Sequence, residues 1–297
     1  YHILSYHAAS GSLGRKMINV QYQAPTEQLQ QLVSSLYRFD YSGDALHEVE
    51  RADRAQFRIM LSGHGCYRFS DGVEYPTYPV TVIGPTTRPF EAISSEPVSI
   101  FGWGMLPAGW AVLMGADAEN WIDKAFDARR VFGDTIMELR EELIAIAEPA
   151  AQFALGDAAA AEIYRKLDGA PFEVTAMVDR WLVDDSDPDV DVLIAESGLS
   201  PRQLERMTNR YYGMPPKKLA RKYRALRAAN RIAHGDSLDD TDLGLAFYDQ
   251  SHLTREVKQF TGLTPGQLRA GKSELTKATM MGRSALGDKV SPLISES

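Results

Sequence analysis

The strongest constraint on what this chain can fold into is an internal repeat. Residues 200–219, SPRQLERMTNRYYGMPPKKL, align without a gap with residues 249–268, DQSHLTREVKQFTGLTPGQL, at an offset of 49. Leu204, Arg206, Gly213, Pro216 and Leu219 meet Leu253, Arg255, Gly262, Pro265 and Leu268, and Tyr211 meets Phe260. Each matched position has a role in a short helix. Ser200 and Asp249 are favoured N-caps, Pro201 suits a first helical turn, and Gln203 completes a capping box with Ser200. Gly213 and Gly262 stand where a left-handed residue ends a helix, and the prolines three positions later stop it from continuing. The repeat therefore predicts two capped helices of about twelve residues each.

A second helix precedes each of them. DVDVLIAES (189–197) leads through Gly198-Leu199 into the first, and SLDDTDLGLAF (237–247) leads through Tyr248 into the second. Two helices joined by a short turn, with a polar and basic second member, make a helix-turn-helix. The chain carries two. Their connector, PKKLARKYRALRAANRIAHG (216–235), is helical in composition. About 18 helical residues span roughly 27 Å, close to the ~34 Å between successive major-groove faces.

Charge is distributed unevenly around this repeat. The formal net charge is −8, yet residues 200–272 hold 14 Lys and Arg against 7 Asp and Glu, while residues 1–199 hold 15 against 30. Residues 200–234 contain ten bases and the single acid Glu205. A solvated helix face usually mixes signs to form i,i+4 pairs, so the excess reads as a footprint for a polyanion.

The first half has a different period. FRIMLS (57–62), CYRFS (66–70), YPVTVIG (78–84), PFEAIS (89–94) and VSIFGW (98–103) are strand-length runs separated by turn residues, the pattern of a small sandwich or barrel. Ahead of them, TEQLQQLVSSLY (26–37) places Leu29, Leu32, Val33 and Leu36 on one helical face. From about residue 109 the period becomes helical: Ile136, Leu139, Leu143 and Ile146 form one stripe, and 153–171 reads as a helix running to a Gly/Pro boundary. The uncharged stretch 97–116 is long enough for a membrane span, but its four glycines and Pro107 favour a strand, a turn and a helix start.

The fold class is thus α+β. The expected domains are an N-terminal domain over 1–170 (barrel about 40–108, helices about 109–170), an all-α domain of two helix-turn-helix units joined by a long helix over 171–272, and a flexible tail over 273–297. The only cysteine, Cys66, excludes an internal disulfide and fits a reducing cytoplasm. No basic and then apolar leader is visible at the N-terminus. His64 stands alone, without the clustered histidines of a cupin metal site. No phosphate-binding loop, dinucleotide fingerprint or serine elbow occurs. We therefore expect no catalytic residue, metal or cofactor. Phe101, Trp103, Met105, Trp110 and Tyr67 are equally suited to a barrel core and to an apolar effector pocket.

The C-terminal stretch AFYDQSHLTREVKQFTGLTPGQLR (246–269), with GLSPRQLERMTNRYYGMPPKKLARKYR upstream, resembles the signature of the AraC/XylS family of bacterial transcription regulators over about residues 172–270. The N-terminal half resembles, less specifically, the cupin-like sensor domains of that family. Four positions depart from the pattern: Ala246 for the turn glycine, Asp242 for a small packed alanine, Thr208 for a core aromatic and Leu268 for a tyrosine.

The resemblance implies sequence-specific DNA binding. In the first recognition helix Leu204, Met207 and Tyr211 would face inward, and Arg202, Glu205 and Arg206 would approach base edges. In the second, Leu253, Val257 and Phe260 would face inward, with Gln250, His252, Thr254 and Arg255 as readers. Arginine can hydrogen-bond guanine bidentately, glutamine suits adenine, and glutamate accepts from cytosine. Arg206 and Arg255 have a second reading as phosphate contacts or internal ion-pair partners. Arg210, Lys217, Lys218, Arg221, Lys222 and Lys258 are expected at phosphates or in solvent. The partners implied are a promoter operator in duplex DNA, RNA polymerase, a small-molecule effector and a second copy of the chain through the N-terminal domain, and no membrane. The alternative is a cupin-type metal enzyme or isomerase with a basic DNA-binding appendage. A third reading is an architectural DNA-binding protein without an effector.

Overall fold

The computed structural model describes residues 4–9, 17–115, 117–165, 169–239 and 241–297. Its N-terminal half is built on two antiparallel sheets. The strands are β1 (Leu4–Ala9), β2 (Met17–Gln23), β3 (Val33–Tyr41), β4 (Leu46–Glu50), β5 (Ala55–Ser62), β6 (Cys66–Arg68), β7 (Glu74–Pro76), β8 (Val80–Ile83), β9 (Phe90–Ser94), β10 (Val98–Met105) and β11 (Ala125–Asp127). Seven form one sheet in the order β1-β2-β3-β10-β5-β8-β11, and four form the other in the order β4-β9-β6-β7.

The seven-stranded sheet is covered on both faces, which is why its central strands read as nearly continuous apolar runs. Period-two alternation sends Tyr37, Phe39, Met60 and Ile100 toward the smaller sheet, where they pack with Tyr67, Phe69 and Phe90. Leu36, Phe57, Phe101 and Trp103 point the other way, into a core closed by helices. Those helices are α1 (Pro107–Met114), α2 (Arg129–Phe132), α3 (Ile136–Ala145) and α4 (Pro149–Ile163). The uncharged run 97–116 resolves into β10 and α1, and no helix among the described residues is long and apolar enough to cross a membrane.

One expected helix is absent. Residues 26–37 form a 3-10 turn at Glu27–Leu29 and then enter β3. Leu29, Leu32, Val33 and Leu36 are all buried, but as turn and strand residues. A short apolar run satisfies either period, and pairing with β2 and β10 decides it here.

The C-terminal half is helical: α5 (Phe172–Asp184), α6 (Val190–Ser197), α7 (Pro201–Tyr212), α8 (Pro216–His234), α9 (Asp242–Leu245), α10 (Gln250–Thr261), α11 (Pro265–Arg269), α12 (Glu274–Ser284) and α13 (Pro292–Ser295). The caps fall where the repeat puts them. Ser200 and Gln203 form the capping box of α7, the Asp249 side chain accepts from His252 N–H at 2.6 Å, and Gly213 and Gly262 each end their helix at φ 77°. Asp242 is the exposed first residue of α9, so no acid is buried there.

The expected flexible tail is instead an ordered tie between cores. Ser273 caps α12, which lays Leu275, Ala278 and Leu286 just beyond it into the sandwich core while Met280 enters the core of the second helix-turn-helix unit. Leu293 of α13 enters the core of the first. Burying each such leucine contributes about 1.5–3 kcal/mol, enough to order a segment whose balanced charge suggests solvation. At Gly282 the backbone of α12 lies so close to Tyr22 that an added Cβ would stand 2.5 Å from its ring.

Candidate nucleic-acid interface

Each recognition helix buries one stripe and presents another. In α7 the buried stripe is Leu204, Thr208 and Tyr212, with Met207 and Tyr211 half-buried beside it. This shifts the expected inward face of Leu204, Met207 and Tyr211 by about one residue. Thr208 tolerates full burial because its hydroxyl donates to the Glu205 carbonyl at 3.1 Å. In α10, Leu253, Val257 and Phe260 are buried as their spacing requires.

The opposite stripes carry the expected readers. Arg202, Glu205 and Arg206 of α7 are exposed, as are Gln250 and Arg255 of α10, whereas His252 and Thr254 are half-buried. Among the described residues no ion pair engages Arg202, Arg206 or Arg255. His252 is held locally: its Nδ1 accepts from Tyr248 N–H at 3.1 Å and its ring meets Phe247 edge to face. An accepting Nδ1 leaves the proton of the neutral ring on Nε2, which is then a donor.

Much of the positive charge in 200–234 has partners within the protein, at the surface for Arg210 and Arg231 and buried for Arg224 and Arg227. Arg210 pairs with Asp117 at 3.4 Å, Arg221 binds Glu256 through two bonds of 3.0 and 2.7 Å, and Arg231 pairs with Asp236. Arg224 pairs with Asp187, and Arg227 donates to the Asp185 carbonyl at 2.6 Å. Burial works against the Glu256 carboxylate, but its bonds from Arg221 and the nearby charges hold its pKa below the usual value. Only Arg202, Arg206, Lys217 and Lys218 of the ten bases lack such partners among the described residues, and Lys258 of α10 is exposed as well.

Lys222 corrects the reading of the connector as a phosphate-contacting face. It is 2% exposed, and its Nζ donates to the carbonyls of Asp53 and Thr86 at 2.7 and 2.8 Å. Burial lowers its pKa to about 7. The helical period turns one side of α8 toward the sandwich, and Lys222 lies on that side.

Both recognition helices are seated on the N-terminal half at repeat-equivalent points. The end of α7 rests on the turn after Ala118–Trp121, where a Cβ added to Gly213 would approach Ile122 to 3.0 Å. The end of α10 rests on β4 and the segment before β9, where a Cβ added to Gly262 would meet Val49 at 2.9 Å and Pro89 at 3.3 Å. Ala52 N–H donates to the Phe260 carbonyl at 2.7 Å.

The loop Arg51–Arg54 joins these contacts. Asp53 binds Arg283 of α12 through bonds of 3.0 and 2.5 Å, and Arg54 lies over the Tyr223 ring and donates to the Leu293 carbonyl. Burial alone would raise the Asp53 pKa, but Arg283 and Arg51 hold it far below the carboxylate range. None of these partners is legible in local sequence.

The residues weighed for chemistry or for an effector are dispersed. His64 is exposed and pairs with Glu96; Cys66 is half-buried, with its thiol pKa raised by burial. Phe101, Trp103, Met105 and Trp110 belong to the helix-covered core, while Tyr67 faces a separate cavity of about 60 Å³ between the sheets and under α12. Among the described residues no group of three or more His, Cys, Asp or Glu could hold a metal ion.

Residues 193–271 match a family model described as a helix-turn-helix domain. No curated protein matches the chain. Among solved structures, ToxT from Vibrio cholerae is 9% identical with a TM-score of 0.46, covering 79% of this chain and 97% of that one. Wild-type ToxT with bound unsaturated fatty acid is 10% identical at a TM-score of 0.46, covering 80% and 93%. The AraC-like transcriptional activator CuxR is 13% identical at a TM-score of 0.34, covering 77% and 85%.

Proposed function

We propose that this protein is a one-component transcription regulator of the cytoplasm, in which α7 and α10 read two elements of one promoter operator and the N-terminal half, as a small-molecule sensor, sets how they are presented. The observation that carries the reading is the pair Arg206 and Arg255. They occupy the same register position in the two repeats, both are exposed, and neither is ion-paired among the described residues. An exposed arginine at this place on a recognition helix suits bidentate binding of guanine. The connector α8 has 19 residues, a length of about 28 Å, which suits readers entering successive major-groove segments. Lys217, Lys218 and Lys258 are placed to hold phosphates. Pairing through the N-terminal half and contact with RNA polymerase are the further partners of a regulator of this kind.

Random-site selection on duplex DNA at fixed salt tests the proposal. Wild-type protein should recover one asymmetric site with two elements about one helical turn apart. Arg206→Ala and Arg255→Ala should each relax one element, at a cost of about 1–3 kcal/mol. Binding without site preference that collapses as salt rises would indicate phosphate contacts alone and favour an architectural role.

A further inference from the structure

One exposed line runs the length of α10. Tyr248, Ser251, Arg255 and Lys258 are all exposed, at the i, i+3, i+7, i+10 spacing of a single helical face. Arg255 and Lys258 are the base reader and the phosphate holder of that face. Tyr248 heads the same line, directly before the Asp249 cap. Its N–H bond to His252 Nδ1 ties its main chain to the first turn of the helix.

Tyr248 is the most exposed large apolar side chain among the described residues, at 94%, and Leu245, three residues earlier, follows at 75%. The repeat shows that this exposure is particular to the second unit. At the offset of 49, Tyr248 answers to Leu199, which is half-buried against the core of the first unit, and Leu245 to Glu196, which pairs with Arg180. Apolar residues scattered singly over a surface need no cause, but these two stand together at the head of a recognition helix.

We propose that Tyr248 is a specificity-determining residue that reads the methyl group of a thymine beside the second operator element; the proposal rests on the reading of α10 as a recognition helix. The N-terminal end of such a helix is the end that meets base edges in the major groove. Those edges offer hydrogen-bond donors and acceptors to Gln250 and Arg255, and the one apolar group they display is the thymine C5 methyl. A tyrosine ring at the head of the exposed line is matched to that group. Leu199 is turned into its own core, so the thymine preference belongs to the second element and not to the first.

The test uses the full chain and the operator duplex recovered by site selection, with each thymine beside the second element replaced in turn by uracil, which lacks only the methyl. At one position uracil should weaken wild-type binding on the order of fourfold, the worth of one buried methyl. Tyr248→Ala should bind the thymine and uracil duplexes equally, while Tyr248→Phe, which keeps the ring, should still discriminate. Both variants should unfold in urea as wild type does, because the side chain is exposed and the main-chain bond to His252 survives. Discrimination that persists in Tyr248→Ala would overturn the proposal. So would a loss in Tyr248→Phe as large as that in Tyr248→Ala and equal on every sequence, which would put the hydroxyl at a phosphate. Altered self-association of Tyr248→Ala and Leu245→Ser with site preference unchanged would make the pair a protein-docking surface and overturn it as well. A selected operator with no thymine dependent on Tyr248 defeats this proposal and leaves the regulator standing, whereas selection of no operator defeats both.

Discussion

In the first helix-turn-helix unit an eight-residue helix, α6, precedes the recognition helix, while in the second the corresponding α9 has four residues. The caps are nevertheless alike, down to the shared φ of 77° at Gly213 and Gly262. What differs is the seat: α7 ends against Ile122, just before β11 of the main sheet, and α10 ends against Val49 of β4 and Pro89, just before β9 of the smaller one. Local geometry therefore repeats with the sequence, but each copy is placed by a different surface. The comparison teaches that the spacing of the two readers belongs to the N-terminal half as much as to α8, because both helices are gripped at their ends.

The largest effect should come from breaking the shared grip. Asp53→Ala leaves Arg283 charged and buried without its partner, and should destabilise the fold by about 3–5 kcal/mol. Urea unfolding measures this, and a loss under about 1 kcal/mol would show that the loop does not tie the halves together. A smaller effect separates backbone from seat. Gly198→Ala and Gly262→Ala both force a side chain into the left-handed region, at a cost of about 1–2 kcal/mol, but only at Gly262 does the new Cβ also meet the sandwich. Gly262→Ala should thus be the more destabilising, and equal midpoints would mean that the α10 seat yields freely.

The last effect is a slope, small at any one step of pH. Lys222 has a folded pKa of about 7, below its ordinary 10.5, so between these values the unfolded chain binds more protons. Its destabilising contribution is full below about pH 7 and is relieved as pH rises, by at most about 1.4 kcal/mol per unit. Wild-type stability should therefore gain over Lys222→Met between about pH 7 and 9, below the range where buried tyrosines begin to titrate. Parallel profiles for the two proteins would show that Lys222 keeps its ordinary proton affinity in the seat.

Several elements are legible in the sequence because their causes are local. A capping box needs only Ser200 and Gln203, a helix stop needs a glycine and a proline at fixed offsets, and the strand-length apolar runs at 57–62 and 98–103 need only the turn residues that bound them. The same local rules fail at 26–37, where leucines at helical spacing are claimed by strand pairing, and at 273–297, where an amphipathic segment reads as a solvated tail. They also overstate the basic face: Lys222, Arg224 and Arg227 are cations in sequence and internal donors in the structure.

By itself, the sequence determined that two like helices would form, where each would begin and end, and that Arg206 and Arg255 would hold equivalent positions. Only the tertiary structure decided which cations face outward, that α12 roofs the sandwich, and that Asp53, 230 residues before Arg283, would become its partner. The physical reason is one of range. Caps, turns and periodicity are fixed by neighbours within a few residues, whereas the partner of a buried charge is fixed by which surfaces meet when the cores close.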